Sequence, residues 1–163
     1  EEIWYEGYAP GGVALLVQVL TDNRNRAASD VRATFTRHGG SLGEPGSVSY
    51  LFEQRGLVLA RGDEEPVLLA ALEAGAEDVR GDDDEWEIVT GPGDVDRVRA
   101  ALEDAGVEIE SAEVTRLPTA TVPLDAAGAP RVLRLVEALE DLDDVQAVYA
   151  NFEIPDELLA EVT

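Results

Sequence analysis

The sequence predicts an α+β protein built from two small ferredoxin-like plaits (open-faced sandwiches), with the second inserted into the first. Strand-like and helix-like segments alternate along the 163 residues. The joint between a helix and the next strand recurs three times, as ALEAGAEDV, ALEDAGVEI and ALEDLDDVQAV. If the block 63–117 is taken out, the outer segments 1–62 and 118–163 join in a βαββαβ order. The alternative is two sequential domains divided near residue 62.

The first elements predicted are a strand, a helix and a hairpin. GGVALLVQVL, residues 11–20, is a continuous apolar run that is typical of a strand buried on both faces. Helical spacing links four residues after it: Ala27, Val31, Phe35 and His38. Gly39 supplies the stop of this helix. SVSYLFE (47–53) and LVLAR (57–61) flank QRG, which predicts a hairpin with a short loop.

The remaining elements follow the same signals. Pro66 and Gly75 bound one short helix, and Asp94 as N-cap with Gly106 as stop bounds another. AEDVR, WEIVT and VEIESAEV are predicted strands of the middle block. TATVPLD, PRVLRLVEALEDL and DVQAVYANF predict a strand, a helix and a strand, and IPDELLAEV predicts a terminal helical turn or two. We expect the outer sheet to contain strands near 13–20, 48–53, 57–61 and 145–152.

The charge of the chain limits its partners. It has 35 acidic residues against 12 arginines and no lysine, which gives a formal net charge of −23. Such a surface repels phosphates, so we expect this chain to bind duplex DNA weakly or not at all. We interpret most of the acids as a solvated coat, from a salt-rich habitat or biased codon usage. No apolar run reaches the roughly 20 residues of a membrane helix, and no signal-peptide pattern opens the chain, so we expect a cytoplasmic protein.

Enzyme signatures are missing from the sequence. It contains no cysteine and a single histidine, which excludes disulfides, thiolate metal sites and paired-histidine metal sites. GDDDE, residues 81–85, lacks the spacing of a calcium-binding loop and is better explained as an acidic hairpin tip. No serine stands in a GxSxG pattern. We therefore predict no catalytic site, no metal, no cofactor and no small-molecule substrate.

The stretch TDNRNR, Thr21–Arg26, places positive charge where a helix begins. With Asp22 as cap, Arg24 and Arg26 lie in the first turn, where a cation opposes the helix dipole at about 0.3–1 kcal/mol each. A structural explanation is an ion pair between Arg26 and Asp30, one turn further on. The functional explanation is an exposed contact surface for phosphate or protein. That surface would consist of Asn23, Arg24, Asn25 and Arg26.

These residues also carry a resemblance. YEGYAPGGVA and LTDNRNRAASDVRATFTRHGGSLGEPGSVSYLFEQRG resemble the YebC/PmpR family, and ALEAGAEDV, VPLD and ALEDLDDVQAVYANF extend the similarity over nearly the whole chain. Family members are described as probable transcriptional regulators and include mitochondrial translational activators. The resemblance implies three domains, a basic N-terminal helical domain and two α+β domains. This chain, which opens without Met, would hold only the second and third.

The resemblance implies a non-enzymatic, nucleic-acid-associated regulator of gene expression. The alternative that it leaves open is a ribosome-associated translation factor that relieves stalling, for example at proline runs. The partner would be DNA or ribosomal RNA, reached through the full-length protein. An acidic coat fits poorly with groove reading, which uses a helix with basic flanks. The candidate contact residues are Tyr5, Tyr8, Asn23, Arg24, Asn25, Arg26 and His38.

Overall fold

A computed structural model describes residues 1–153 of the chain, apart from the side chain of Asp82. The terminal helical turn predicted for IPDELLAEV lies outside the described residues. The strands are β1 (Glu2–Tyr8), β2 (Ala14–Leu20), β3 (Ser41–Leu42), β4 (Phe52–Arg61), β5 (Asp78–Asp82), β6 (Glu85–Thr90), β7 (Glu108–Pro118), β8 (Val122–Pro123), β9 (Val145–Ala150) and β10 (Phe152–Glu153). The helices are α1 (Arg24–Arg37), α2 (Glu64–Glu73), α3 (Val95–Asp104) and α4 (Gly128–Glu140), and a 3₁₀ turn covers Ser49–Leu51.

The chain divides into two compact units. Glu1–Glu53 and the described residues from Pro118 to Glu153 form the first, and Gln54–Leu117 form the second. Each unit combines a four-stranded sheet with two helices. The α+β class with two small plaits that the sequence predicts is confirmed.

The first unit is built around β2. Its sheet has the order β3-β1-β2-β9, and β1 and β9 both pair with β2 in antiparallel fashion. Leu15 and Val17 of β2 pack with residues of α1 and α4, while Leu16 packs on the opposite face against Val48 and Phe52. The apolar run is therefore buried on both faces, as predicted, because helices cover one face and the 43–52 segment covers the other.

The second unit has a complete βαββαβ order, from β4 through α2, β5, β6 and α3 to β7. Its sheet order is β5-β6-β4-β7, so the first strand lies between the third and the fourth, as in ferredoxin-like plaits. The core between sheet and helices is apolar. Its fully buried members include Val58, Val67, Ile88, Val98 and Leu102.

The prediction is wrong for two of the four strands expected in the outer sheet, those near 48–53 and 57–61. Residues 49–51 form the 3₁₀ turn, and Phe52–Arg61 is one continuous strand that pairs with β6, so 57–61 belongs to the second unit. No hairpin forms at QRG, because these residues lie inside the continuous strand β4. Glycine is needed at position 56 for a different reason: a Cβ there would overlap Val95 Cγ2. The first unit uses β1 and β3 instead. The pairing of the strands near 13–20 and 145–152 is confirmed.

Candidate functional site

The turn Thr21–Arg26 starts α1. The helix begins at Arg24, and its N-cap is Asn23, whose Oδ1 accepts a hydrogen bond from the Arg26 N–H at 3.1 Å. Asp22 is therefore not the cap that the sequence suggested. The hydroxyl of Thr21 accepts the Asn23 N–H at 3.0 Å, which fixes the approach to the helix. No acidic residue lies in the first turn of α1.

Acids from elsewhere in the chain neutralise the two arginines of this turn. Arg24 pairs with Glu1. Arg26 Nη2 donates to Asp144 Oδ2 at 2.9 Å and lies 3.5 Å from Asp22 Oδ1. The hydrogen bond and charge of Asp144 raise the pKa of Arg26, and the hydrogen bond from Arg26 lowers the pKa of Asp144. The partner of Arg26 is thus Asp144, across the fold, in place of Asp30 on the same helix.

The start of α1, which we define as Asn23–Arg26, combines exposure with local charge balance. The side chains of Arg24 and Arg26 are 61% and 52% exposed, and Asn23 and Asn25 are exposed too. Two guanidinium groups face the carboxylates of Glu1, Asp22 and Asp144. A ligand anion can reach these arginines, but it has to compete with carboxylates already in place.

Tyr5 and Tyr8 lie on β1 and point to opposite faces of the sheet, because side chains alternate along a strand. Tyr5 is half-buried against the core. Burial raises its pKa, and the nearby charge of Arg32 lowers it in part. The hydroxyl of Tyr8 donates to the Ser47 carbonyl oxygen at 3.4 Å. The structure does not bring these two rings together.

His38 lies at the other end of α1, as its C-cap. The helix has 14 residues, so about 21 Å separates this end from its start. Here a surface groove with a volume of about 330 Å³ is lined by Arg37, His38, Gly39, Arg131 and Arg134. We call Arg37, Arg131 and Arg134, together with His38, the arginine cluster.

The arginine cluster differs from most of the arginines because none of its members pairs with an acid among residues 1–153. Within the described part of the chain, four arginines have no carboxylate oxygen within 4.0 Å: Arg32, Arg37, Arg131 and Arg134. Three of these four line the same groove. Sequence reasoning found only His38 of this group, because residues 37 and 131 are far apart in the chain. The one signal in the sequence was the three-residue spacing of Arg131 and Arg134, which places both side chains on the same face of a helix.

The described residues hold neither a metal-binding cluster nor a membrane-spanning helix. Among them, no group of three or more histidine, aspartate or glutamate side chains is placed to hold a metal ion. None of the helices there is long and apolar enough to cross a membrane.

Comparison with known proteins identifies the relatives of this fold. The family model described as "TACO1/YebC second and third domain" matches residues 1–152. The chain belongs to the TACO1/YebC family. The resemblance predicted from the motifs is thereby confirmed.

Curated members of the TACO1/YebC family are similar over the whole chain. Proteins named "Probable transcriptional regulatory protein" from Rubrobacter xylanophilus and Acidothermus cellulolyticus are 58% and 59% identical over 99% of this chain. One of the same name from Thermobifida fusca is 57% identical over 100% of it. The chain spans about two thirds of the length of these relatives, at 66% or 67%.

A solved structure supports the fold. The crystal structure of the conserved hypothetical protein Aq1575 from Aquifex aeolicus has a TM-score of 0.85 and 51% identity, over 98% of this chain and 67% of that one. At this identity the arrangement of helices and strands within the TACO1/YebC second and third domains is shared.

Proposed function

We propose that this TACO1/YebC chain is part of a non-enzymatic regulator of gene expression that acts on nucleic acid. The observation that carries the proposal is the 57–59% identity, over 99–100% of the chain, to proteins named probable transcriptional regulatory proteins. The name belongs to those relatives, and the nucleic-acid role is our extension of it. The full-length protein would contact its target partly through these two domains and partly through the third of its length that they do not include.

A second candidate is a ribosome-associated translation factor, and the charge distribution favours it. The net charge is −23, and the arginines without acidic partners in the described part of the chain are few and mostly clustered. Reading a duplex groove uses a helix with basic flanks that neutralise many phosphates. A protein held among ribosomal RNA and proteins needs only a small basic contact. The acidic remainder of the surface is compatible with that arrangement.

The start of α1 is our proposed contact surface for either target. Its arginines are more than half exposed, and ion pairs at such exposed positions contribute little to stability. A phosphate that offers bidentate hydrogen bonds can therefore replace Glu1 or Asp144 as the partner of a guanidinium. Tyr8 lies on the neighbouring strand β1 and is 36% exposed.

The experiment is ribosome co-sedimentation of the full-length protein beside a duplex DNA titration at several stated salt concentrations. We expect specific association in one of the two assays, weakened by the double substitution Arg24→Ala and Arg26→Ala. The matched control is Arg80→Ala with Arg99→Ala, which removes the same charge from exposed, ion-paired positions in the second unit. Association with neither ribosomes nor DNA would contradict the proposed function. Equal weakening by both double variants would contradict the contact surface.

A further inference from the structure

Helix packing assembles the arginine cluster from two distant segments. Arg37 lies in the last turn of α1, and Arg131 and Arg134 lie in the first two turns of α4. The two helices share the core of the first unit. A Cβ on Gly39, which has a φ of +78°, would lie 3.5 Å from Arg131 Nη2, so the guanidinium passes directly over this turn. The groove is thus built by the fold and not by neighbouring residues in sequence.

Stability alone does not account for these cations. Arg37 suits the negative end of α1, whereas Arg131, in the first turn of α4, lies near its positive end and Arg134, in the middle of α4, gains nothing from the helix dipole. They are also three residues apart on one helix, where like charges repel. Acids outnumber arginines by 35 to 12, so an arginine placed for stability readily finds a carboxylate. The described residues provide none within 4.0 Å of this group.

We propose that the arginine cluster binds phosphate groups of a nucleic-acid backbone; the inference rests on the proposed function and adds a second contact at the opposite end of α1. Guanidinium groups bind phosphate oxygens through paired hydrogen bonds, and all three are exposed. At physiological ionic strength the Debye length is about 8 Å, so acids further away than this are largely screened. The local charge of the groove then decides what binds there, in spite of the net charge of −23.

The test compares two double variants of the full-length protein. Arg131→Ala with Arg134→Ala removes two arginines of the cluster, and Arg80→Ala with Arg99→Ala removes equal charge elsewhere. Each is titrated with single-stranded RNA and with duplex DNA of equal length, between about 50 and 200 mM salt. For RNA we expect the cluster variant to raise Kd at least about tenfold and to reduce the salt slope by about 1.4, or 0.7 per lost phosphate contact. The control should bind like the parent protein.

A lysine variant separates charge from folding. Arg131→Lys with Arg134→Lys keeps the positive charge, so we expect it to retain most of the salt slope. Thermal unfolding of all variants should match the parent, because the substituted side chains are exposed. The nucleic acid that the alanine variant binds more weakly than the parent, RNA or DNA, is the one whose phosphates the arginine cluster contacts.

Three outcomes would count against the inference or the function in distinguishable ways. If the parent binds nucleic acid and the cluster variant binds equally well, the inference is overturned and the proposed function stands. If both double variants weaken equally, net charge explains binding and the inference is also overturned. If the parent binds neither nucleic acid in these titrations nor ribosomes in co-sedimentation, the proposed function fails. Titration with tripolyphosphate, followed by NMR of the arginine Nε–H groups, then decides: shifts confined to the cluster support a phosphate site, and their absence overturns it.

Discussion

Glu6 offers the most direct test of how the first unit is held together. Its side chain is buried, with 7% of the residue exposed. Oε2 accepts the Gly46 N–H at 2.7 Å, and Oε1 accepts the N–H groups of Val48 at 2.9 Å and Ser49 at 2.7 Å. One carboxylate on β1 therefore anchors the 46–49 turn, whose Ser47 carbonyl oxygen also receives the Tyr8 hydroxyl.

The substitution Glu6→Gln keeps the size of the side chain and replaces one acceptor oxygen by an NH₂ group. Either orientation of the amide turns an N–H donor of the buried side chain toward a backbone N–H, so this amide N–H and at least one of the three backbone donors lose their partners. An unsatisfied buried donor costs about 1–3 kcal/mol, and we expect the free energy of unfolding at pH 7 to fall by that amount. Glu44→Gln is the matched control in the same segment; its side chain is exposed, so its effect should stay within about 0.5 kcal/mol.

The pH dependence gives an independent check. Burial raises the pKa of Glu6, but the backbone hydrogen bonds from Gly46, Val48 and Ser49 together lower it by more than burial raises it. The pKa of Glu6 therefore lies below its usual value. A lowered pKa stabilises the folded state above the unfolded-state pKa, about 4.3, and this contribution is lost as pH falls through the folded-state pKa. The difference between parent and Glu6→Gln should therefore shrink below about pH 4.3.

Urea unfolding of the parent, Glu6→Gln and Glu44→Gln between about pH 7 and pH 3 measures both effects. The comparison between variants removes the titration of the other carboxylates, which all three proteins share. A Glu6→Gln protein as stable as the Glu44→Gln control at pH 7 would refute the anchoring argument. A stability difference that does not change with pH would refute the assignment of charge to the buried carboxylate.

The start of α1, Gly56 and the net charge of the chain each give a further prediction. Replacing Arg24 and Arg26 together by alanine should leave the midpoint of thermal unfolding unchanged or slightly raised, because exposed ion pairs are weak and the helix start gains from losing cations; unfolding of the domain at 25 °C would contradict this. Gly56→Ala should cost about 1–3 kcal/mol in urea unfolding, because its Cβ would overlap Val95 Cγ2, whereas Gly93→Ala meets no atom within 4 Å and serves as control. The 163-residue chain should bind duplex DNA with a Kd of about 10⁻⁴ M or weaker at physiological salt, and a tight, sequence-selective complex in a gel or fluorescence titration would contradict this expectation.

The strongly periodic elements could be predicted from sequence, and the misassigned segments show what periodicity lacks. β2 and α1 were found because a continuous apolar run and a helical repeat are long local signals. The sequence prediction divided Phe52–Arg61 into two strands because Gly56 resembles a turn residue. The structure shows that glycine is needed there because Val95, at the start of α3 in the second unit, leaves no room for a Cβ. β1 was missed because its mixture of aromatic and acidic residues has no clear alternation.

The candidate site shows the same limit in its electrostatics. From sequence, Arg24 and Arg26 stand out because cations are unfavourable at a helix start. Their neutralisation by Glu1 and Asp144 depends on strand pairing that places residues 1 and 144 beside this turn. No local rule specifies those partners. Spacing along one helix could predict only Asp30 as the ion-pair partner of Arg26.

Arg37, Arg131 and Arg134 present the converse case. Each is unremarkable in its own segment, and only the packing of α1 on α4 brings them to one groove where no carboxylate of residues 1–153 pairs with them. The number of cations in an acidic chain is therefore a poor guide to where an anion binds, since most of them are occupied by intramolecular partners. What matters is which cations the fold leaves together and unpaired, because only these can bind a phosphate without first displacing a carboxylate. By that criterion we expect the end of α1 to bind phosphate more strongly than its start, and the two double alanine variants measure the difference directly.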